Sequence, residues 1–370
     1  MPAEHVTHSA GTGPSRRGLL RAGAGLTAAG ALGAAGVLAA AGPAAADLPV
    51  TPPFSLEGGG DQVFWRKPLH ETSWAMQSFA YDNVNGHIYF AQHRPGDNEN
   101  ESDDGDPSKA HIHYGDIWIV RTDLAGNVLG TMALHQFGHG SSMAVEPTGA
   151  GSAPYLWIEG DNYNVAKGAY EDSGYRLTRF RYTEGITLTY GNPSVIPIQD
   201  RTPTITTYAG LPRPAIDPVN NMLLVRYATQ STSPNPWRLV VFPLADAVAG
   251  RLSQDDRKAE RALPTNAQLK IPDDAAFQGV TLYGEYAYLL YGRSGGPSYL
   301  AAVSMNDAGG GHGEVFHTTA GATIPGREPQ GCAIWVADGQ PRLAFGFSGK
   351  TGTTTDPSFD ASLFYKNTFA

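Results

Sequence analysis

Cysteine is almost missing from this chain: Cys332 is the only one. No internal disulfide can form, so stability has to come from packing. Cys332 lies in an apolar run and reads as a small buried hydrophobe rather than a nucleophile. Helical periodicity is nearly missing too. The one stretch that shows it, LADAVAGRLSQDDRKAERAL (Leu244 to Leu263), carries enough charge to be a short surface helix or a loop. Positive charge is short, with 26 Lys and Arg against 35 Asp and Glu. That argues against nucleic acid and anionic membranes as general partners, and leaves room for a local basic pocket. None of GxSxG, HExxH, the phosphate loop or GxGxxG stands in a strand-turn-helix context, which removes the usual motif-borne chemistries.

The first 46 residues stand apart. SRRGLL (Ser15 to Leu20) holds a twin arginine, an Ala/Gly/Leu run follows from Ala22 to Ala41, and Ala44-Ala45-Ala46 is a small-residue cleavage site. Residues 1–46 therefore read as a twin-arginine (Tat) export signal, cleaved before Asp47, with no membrane attachment afterwards. A transmembrane anchor is the weaker alternative, because the run is rich in Ala and Gly and ends at the cleavage site. Losing three Arg and one Glu with this segment takes the formal charge from −9 to −11. The expected location is extracellular, and residues 47–370 are expected to form one domain.

A plan recurs along that domain. MQSFAYDNVNGHIYFAQ (Met76 to Gln92) runs from a polar residue into an apolar strand, a tight turn and a second apolar-aromatic strand. The plan returns at Gly138 to Gly160, Pro212 to Tyr227, Phe277 to Gly292 and Glu328 to Phe347. Five such units, starting roughly every 50 to 75 residues, predict an all-β fold, a five-bladed β-propeller with extra length in loops.

In a propeller the first strand of each blade lines the hub, so equivalent strand starts converge on one mouth. Those positions carry Gln77, His139, Arg213, Gln278, and Glu328 with Gln330. His139, between glycines, suits a proton shuttle or a fixed hydrogen-bond partner. Arg213, between prolines, suits a clamp on a carboxylate or phosphate. Arg327 and Glu328 are adjacent and suit a mutual ion pair. His111 and His113 flank Ile112 and point to one side of an extended segment; with His93 they line a rim, but no third metal ligand is identifiable. DNENESDDGD (Asp97 to Asp106) offers oxygens for Ca²⁺ without the ordered spacing of a calcium loop, and a solvated acidic loop is the better reading. Trp74, Tyr163, Tyr170 and Tyr208 lie near loops and suit stacking on sugar rings. No metal or cofactor is assigned.

The motifs QSFAYD, GDIWIVRTD, FGHGSSMAVEP, PYLWIEGD, FQG and REPQG, taken as a set, resemble secreted actinobacterial proteins labelled "teichoic acid biosynthesis protein C". These are similar to the propeller platform of tail receptor-binding proteins of phages of Gram-positive bacteria. The resemblance spans Gln77 to Tyr365 and implies a five-bladed platform in contact with a cell-wall glycopolymer or another polysaccharide. A weaker likeness is to propeller polysaccharide lyases acting at rhamnosyl-glucuronate ends, in which a His is base and acid and an Arg neutralises the uronate. It implies that role for His139 or His113 with Arg213. The expected ligand site is then Gln77, Gln278, Glu328, Gln330 and Trp74 around those residues. A hydrolase would need a carboxylate pair, for which Glu328 and Glu146 are candidates.

Overall fold

The computed structural model describes residues 47–72, 74–94, 111, 114–192, 196–231, 235–307, 313–352 and 358–370. Residues 1–46, the acidic run Asp97 to Asp106 and His113 lie outside the described residues. Five antiparallel sheets follow one another along the chain. Blade 1 is built from Met76–Asp82, His87–His93, Ile117–Asp123 and Val128–His135, with Thr187–Thr189 added in parallel at its rim. Blade 2 is Met143–Glu146, Tyr155–Gly160, Arg176–Arg181 and Gln199–Asp200. Blade 3 is Tyr208–Asp217, Met222–Thr229, Trp237–Pro243 and Ala259–Ala262. Blade 4 is Ala276–Tyr283, Tyr286–Gly292, Ser298–Ser304 and Val315–Thr318. Blade 5 is Glu328–Ala337, Gln340–Lys350 and Phe359–Lys366, and Asp61–Pro68 supplies its outer strand. The protein is a five-bladed β-propeller, closed by its own N-terminal strand.

Turn chemistry explains the repeated hairpins. In blade 1 Asp82 accepts from the backbone N–H of Val84 and Asn85, and in blade 3 Asp217 does the same for Val219 and Asn220. Such Asx turns fold the chain back without help from distant residues. Alternate residues of each strand then meet between blades. One layer joins Leu224, Leu239 and Val241 of blade 3 to Val280, Leu289 and Val303 of blade 4. Another joins Phe79 and Phe90 of blade 1 to Phe64 and Leu363 of blade 5. The lead-in hugs the wheel: Phe54 and Leu56 are fully buried, and the Phe54 N–H donates to the Tyr288 hydroxyl at 2.8 Å.

The charged stretch after Leu244 divides in two. Leu244–Val248 is a short helix, and Ala259–Ala262 is the outer strand of blade 3, an assignment its charges conceal. The hub is narrow, a channel of about 20 Å³ lined by Ala80, Val145, Ala215, Thr281, Cys332 and Ile334. It has room for little more than a water. Among the described residues no helix is long and apolar enough to cross a membrane.

Candidate functional site

The five strand starts form a ring. The Ser78 hydroxyl of blade 1 donates to the Gly140 carbonyl at 2.6 Å, and Ser142 of blade 2 donates to the Pro214 carbonyl of blade 3 at 2.8 Å. The Arg226 guanidinium of blade 3 lies 4.1 Å from the ring centre of Phe277 in blade 4. Between blades 4 and 5 the backbones nearly touch: a Cβ on Gly279 would stand 2.8 Å from the Gly331 Cα. Blade 5 closes on blade 1 in the same way, with a Cβ on Gly331 standing 3.0 Å from the Ser78 Cα.

Four of these strands carry a register shift at the mouth. It falls between Met76 and Ser78, Gly210 and Arg213, Phe277 and Gly279, and Pro329 and Cys332. Each shift is a bulge, which breaks the ladder and re-aims the residue within it. Gln77, Gln278 and Gln330 lie in three of these bulges, and Leu211 with Pro212 in the one of blade 3.

The structure therefore gathers Gln77, His139, Arg213, Gln278, Glu328 and Gln330 at one end of the wheel. They are not equivalent. Gln77 and Gln330 are buried, and Gln77 donates back to the Ala75 carbonyl at 3.3 Å, so these two fill the ring. Gln278, Glu328 and His139 remain partly accessible. Burial raises the Glu328 carboxyl above its usual range, against the pull of His139, Lys350 and Gln278. Glu328 does not pair with Arg327, whose guanidinium donates to the Ala320 carbonyl and lies over Phe347. Glu146 sits at the far end of its strand, where it receives Arg179 through both oxygens, at 2.6 and 2.7 Å, and the Trp157 N–H at 2.8 Å. It is structural and forms no carboxylate pair with Glu328.

His139 is held by residues that sequence reasoning passed over. Its Nδ1 lies 2.7 Å from the Asp172 carboxylate. The fully buried Glu159 accepts from Gly140 N–H at 2.8 Å, Gly174 N–H at 2.7 Å and Arg213 Nη1 at 2.6 Å. One carboxylate thus fastens the His139 loop to the Asp172 loop. Gly138 has φ +133°, and a Cβ there would stand 2.5 Å from Gly174 N and 2.9 Å from Glu159 Oε2, so only glycine lets the loops meet. Arg213 is the partner of Glu159 and 7% exposed, a strut rather than the free clamp its proline setting suggested.

His93 faces this group rather than His111. Its ring packs edge to face on His139 with centroids 4.4 Å apart, and Trp74 also packs edge to face with it at 6.0 Å. Burial, then the charge of His139, pushes His93 down to about 3, against the pull of Asp172. His111 is buried elsewhere, 2.7 Å from Asp116. Burial pushes Asp172 up, but the hydrogen bond and charge of His139, with His93 and Arg213, outweigh it and hold the carboxyl below its ordinary value. One donor atom each from His93, His139 and Asp172 lie within 4.8 Å of one another.

Beside this group a cavity of about 440 Å³ opens between blades 3 and 4, lined by Ser141, Arg213, Arg226, Trp237, Phe277 and Tyr291 among others. Arg226 is 7% exposed and sits between the Trp237 and Phe277 rings, 3.6 and 4.1 Å from their centres. Burial, then the like charge of Arg213, pushes it down to about 9. A second cleft, about 710 Å³, is lined by residues of blades 2 and 3 and their loops, Tyr163, Tyr175 and Tyr208 among them. Charge inside an apolar strand was the missed signal: Glu159 in PYLWIEG and Arg226 in MLLVRY both occupy it.

The fold and this opening define a class, the five-bladed propeller with a polar mouth. A family model described as the phage 5-bladed beta propeller receptor binding platform domain matches residues 75–317, more than half of the chain, and the chain belongs to that family. The tail fiber of Staphylococcus aureus phage P68 is similar at 16% identity over 86% of this chain, with a TM-score of 0.56. The match takes in 53% of that protein, so this chain spans about half its length. Alpha-L-arabinofuranosidase from Lactobacillus brevis is 10% identical, over 81% of this chain and 95% of its own, with a TM-score of 0.43. The phage phi92 endosialidase is 12% identical, over 85% and 70%, with a TM-score of 0.35. At 16% identity the likeness to the phage P68 tail fiber is one of fold. No curated protein matches the chain.

Proposed function

We propose that this protein is an exported propeller that binds an anionic glycan at its mouth, either a wall polymer of the teichoic-acid kind or an acidic polysaccharide. The observation that carries the reading is Arg226. A buried cation normally has a carboxylate beside it, because desolvating a charge is expensive. Among the described residues the charged or ionisable groups acting on Arg226 are Arg213 and Tyr291, with no carboxylate among them, and its Nε is buried without a hydrogen-bond partner. The flanking rings supply cation–π attraction, which offsets only part of that cost. A phosphate or carboxylate entering the cavity completes the site, with Trp237 and Tyr291 as apolar walls for the sugar. The twin-arginine segment and the resemblance to secreted wall-associated proteins favour placement outside the cell, where such polymers are found.

The test is titration calorimetry with purified teichoic acid and with polygalacturonate, against a neutral dextran. Binding of an acidic polymer but not of dextran is expected. Removing one charged hydrogen bond is worth about 1.5–3 kcal/mol, so Arg226→Gln should weaken binding by roughly 10- to 150-fold. Equal binding by wild type and Arg226→Gln would overturn the reading.

A second reading, a polysaccharide lyase acting by β-elimination, is favoured by one contact. Asp172 at 2.7 Å orients His139 as it would a general base. Arg213, already paired with Glu159, is less suited to neutralise a uronate than Arg226. Unsaturated product appearing by ultraviolet absorbance, and vanishing in His139→Ala, would select this reading over binding alone.

A further inference from the structure

We infer that the mouth also binds a divalent first-row transition-metal ion, of the zinc class, on His93, His139 and Asp172. Two imidazoles and one carboxylate are a donor set suited to such ions and ill suited to Ca²⁺, which takes oxygen ligands. Zinc bonds of about 2.0–2.2 Å set tetrahedral donors roughly 3.4 Å apart, and a shift of roughly 1 Å closes the three donors on one ion. They lie within 4.8 Å of one another in the structure.

Two independent observations point to a ligand there. The first is His93 Nε2, which is buried and has no hydrogen-bond partner, in a residue only 6% exposed. A neutral imidazole whose acceptor nitrogen is buried and unused loses hydration for nothing, and a metal bond supplies the missing partner. The second is the support behind the donors. The His93 ring is held edge to face against the His139 ring, with centroids 4.4 Å apart, and its Nε2 is left without a partner.

Glu159 completes that support. Through the N–H groups of Gly140 and Gly174 it ties down the loops that carry His139 and Asp172. Its negative charge offsets part of the positive charge that Arg213 places near a cation. Asp172 is exposed, so solvent or a glycan oxygen can reach the remaining coordination positions. The ion would take the place of the proton shared by His139 and Asp172. A metal there also removes the Asp172 hydrogen bond that orients the His139 ring in the lyase reading, so metal binding and the lyase reading compete for the same histidine.

The test uses the purified protein, free of any added histidine tag and stripped with chelator. Zn²⁺ is titrated by calorimetry, and Co²⁺ binding is followed by its visible spectrum. The expected result is one ion per chain and an intense, low-symmetry cobalt spectrum, with no uptake of Ca²⁺. Changes in the second shell alone cost about 10- to 100-fold in affinity, so losing a ligand in His93→Ala, His139→Ala or Asp172→Asn should cost at least that. His317→Ala, an exposed histidine on the outer strand of blade 4, should bind as wild type. Asp172→Asn is at the surface and keeps its shape, so it remains informative where the buried His93 variant fails to fold. Uptake well below one equivalent, or Asp172→Asn and His139→Ala binding like the parent, would overturn the inference. Glycan binding that depends on Arg226 is measured without metal, so the two proposals fail separately.

Discussion

At the scale of single residues, the mouth depends on two buried charges with opposite roles. Glu159 has its carboxylate satisfied by two backbone N–H groups and a guanidinium, and Arg226 has no such partner. Breaking a buried, hydrogen-bonded pair from one side leaves the other charge stranded and costs about 3–5 kcal/mol. Glu159→Ala is therefore expected to lose stability on that order in urea unfolding. The result that would contradict this is an unchanged midpoint. Glutamate acts here as a positioning residue: it touches no proposed ligand, and sets the separation of His139 from Asp172. Neither charge was selected from the sequence, where both sit inside runs that pattern as buried strand.

At the scale of elements, the repeated bulge decides what the strand starts can do. A regular strand would point Gln77, Gln278 and Gln330 alternately with their neighbours along the ladder. The extra residue turns each aside and lets the glycine-bearing backbones of blades 4 and 5 close on one another. Gly279 has no room for a side chain, since its Cβ would stand 2.8 Å from Gly331 Cα, a backbone atom that cannot swing away. Gly279→Ala is expected to cost about 1–3 kcal/mol by overpacking, read as a lowered melting temperature. Gly295→Ala, where nothing stands within 4 Å, is a control for space though not for backbone, because its φ is +72°. A Gly279→Ala protein as stable as the parent would show that the ring is looser than described. The strand starts were legible in the sequence because each pairs a polar residue with an apolar run. The bulges were not, because an additional residue in one strand leaves no mark until its partner strand is known.

At the scale of the whole molecule, the wheel is closed by sequence-distant ends. Asp61–Pro68 pairs with Phe359–Lys366, and Phe64, 4% exposed, seals the layer between blades 5 and 1. Without that strand, Phe359–Lys366 becomes an open apolar edge, which invites edge-to-edge association. A chain shortened to begin after Pro68 is expected to elute as aggregate, or to melt well below the full chain, in size-exclusion and thermal measurements. Identical elution and melting would refute the closure as a source of stability.

Period-two patterning and Asx turns act over a few residues, so the chain alone determined an all-β protein of five repeating units and named the polar strand starts that face one opening. Which of those residues are struts and which meet a ligand was decided only in three dimensions. Arg213 becomes a strut because Glu159, 54 positions earlier, is folded against it. His93 joins His139 and Asp172 because blades 1 and 2 are neighbours around the hub. Burial and pairing depend on contacts far apart along the chain, and local pattern carries no record of them.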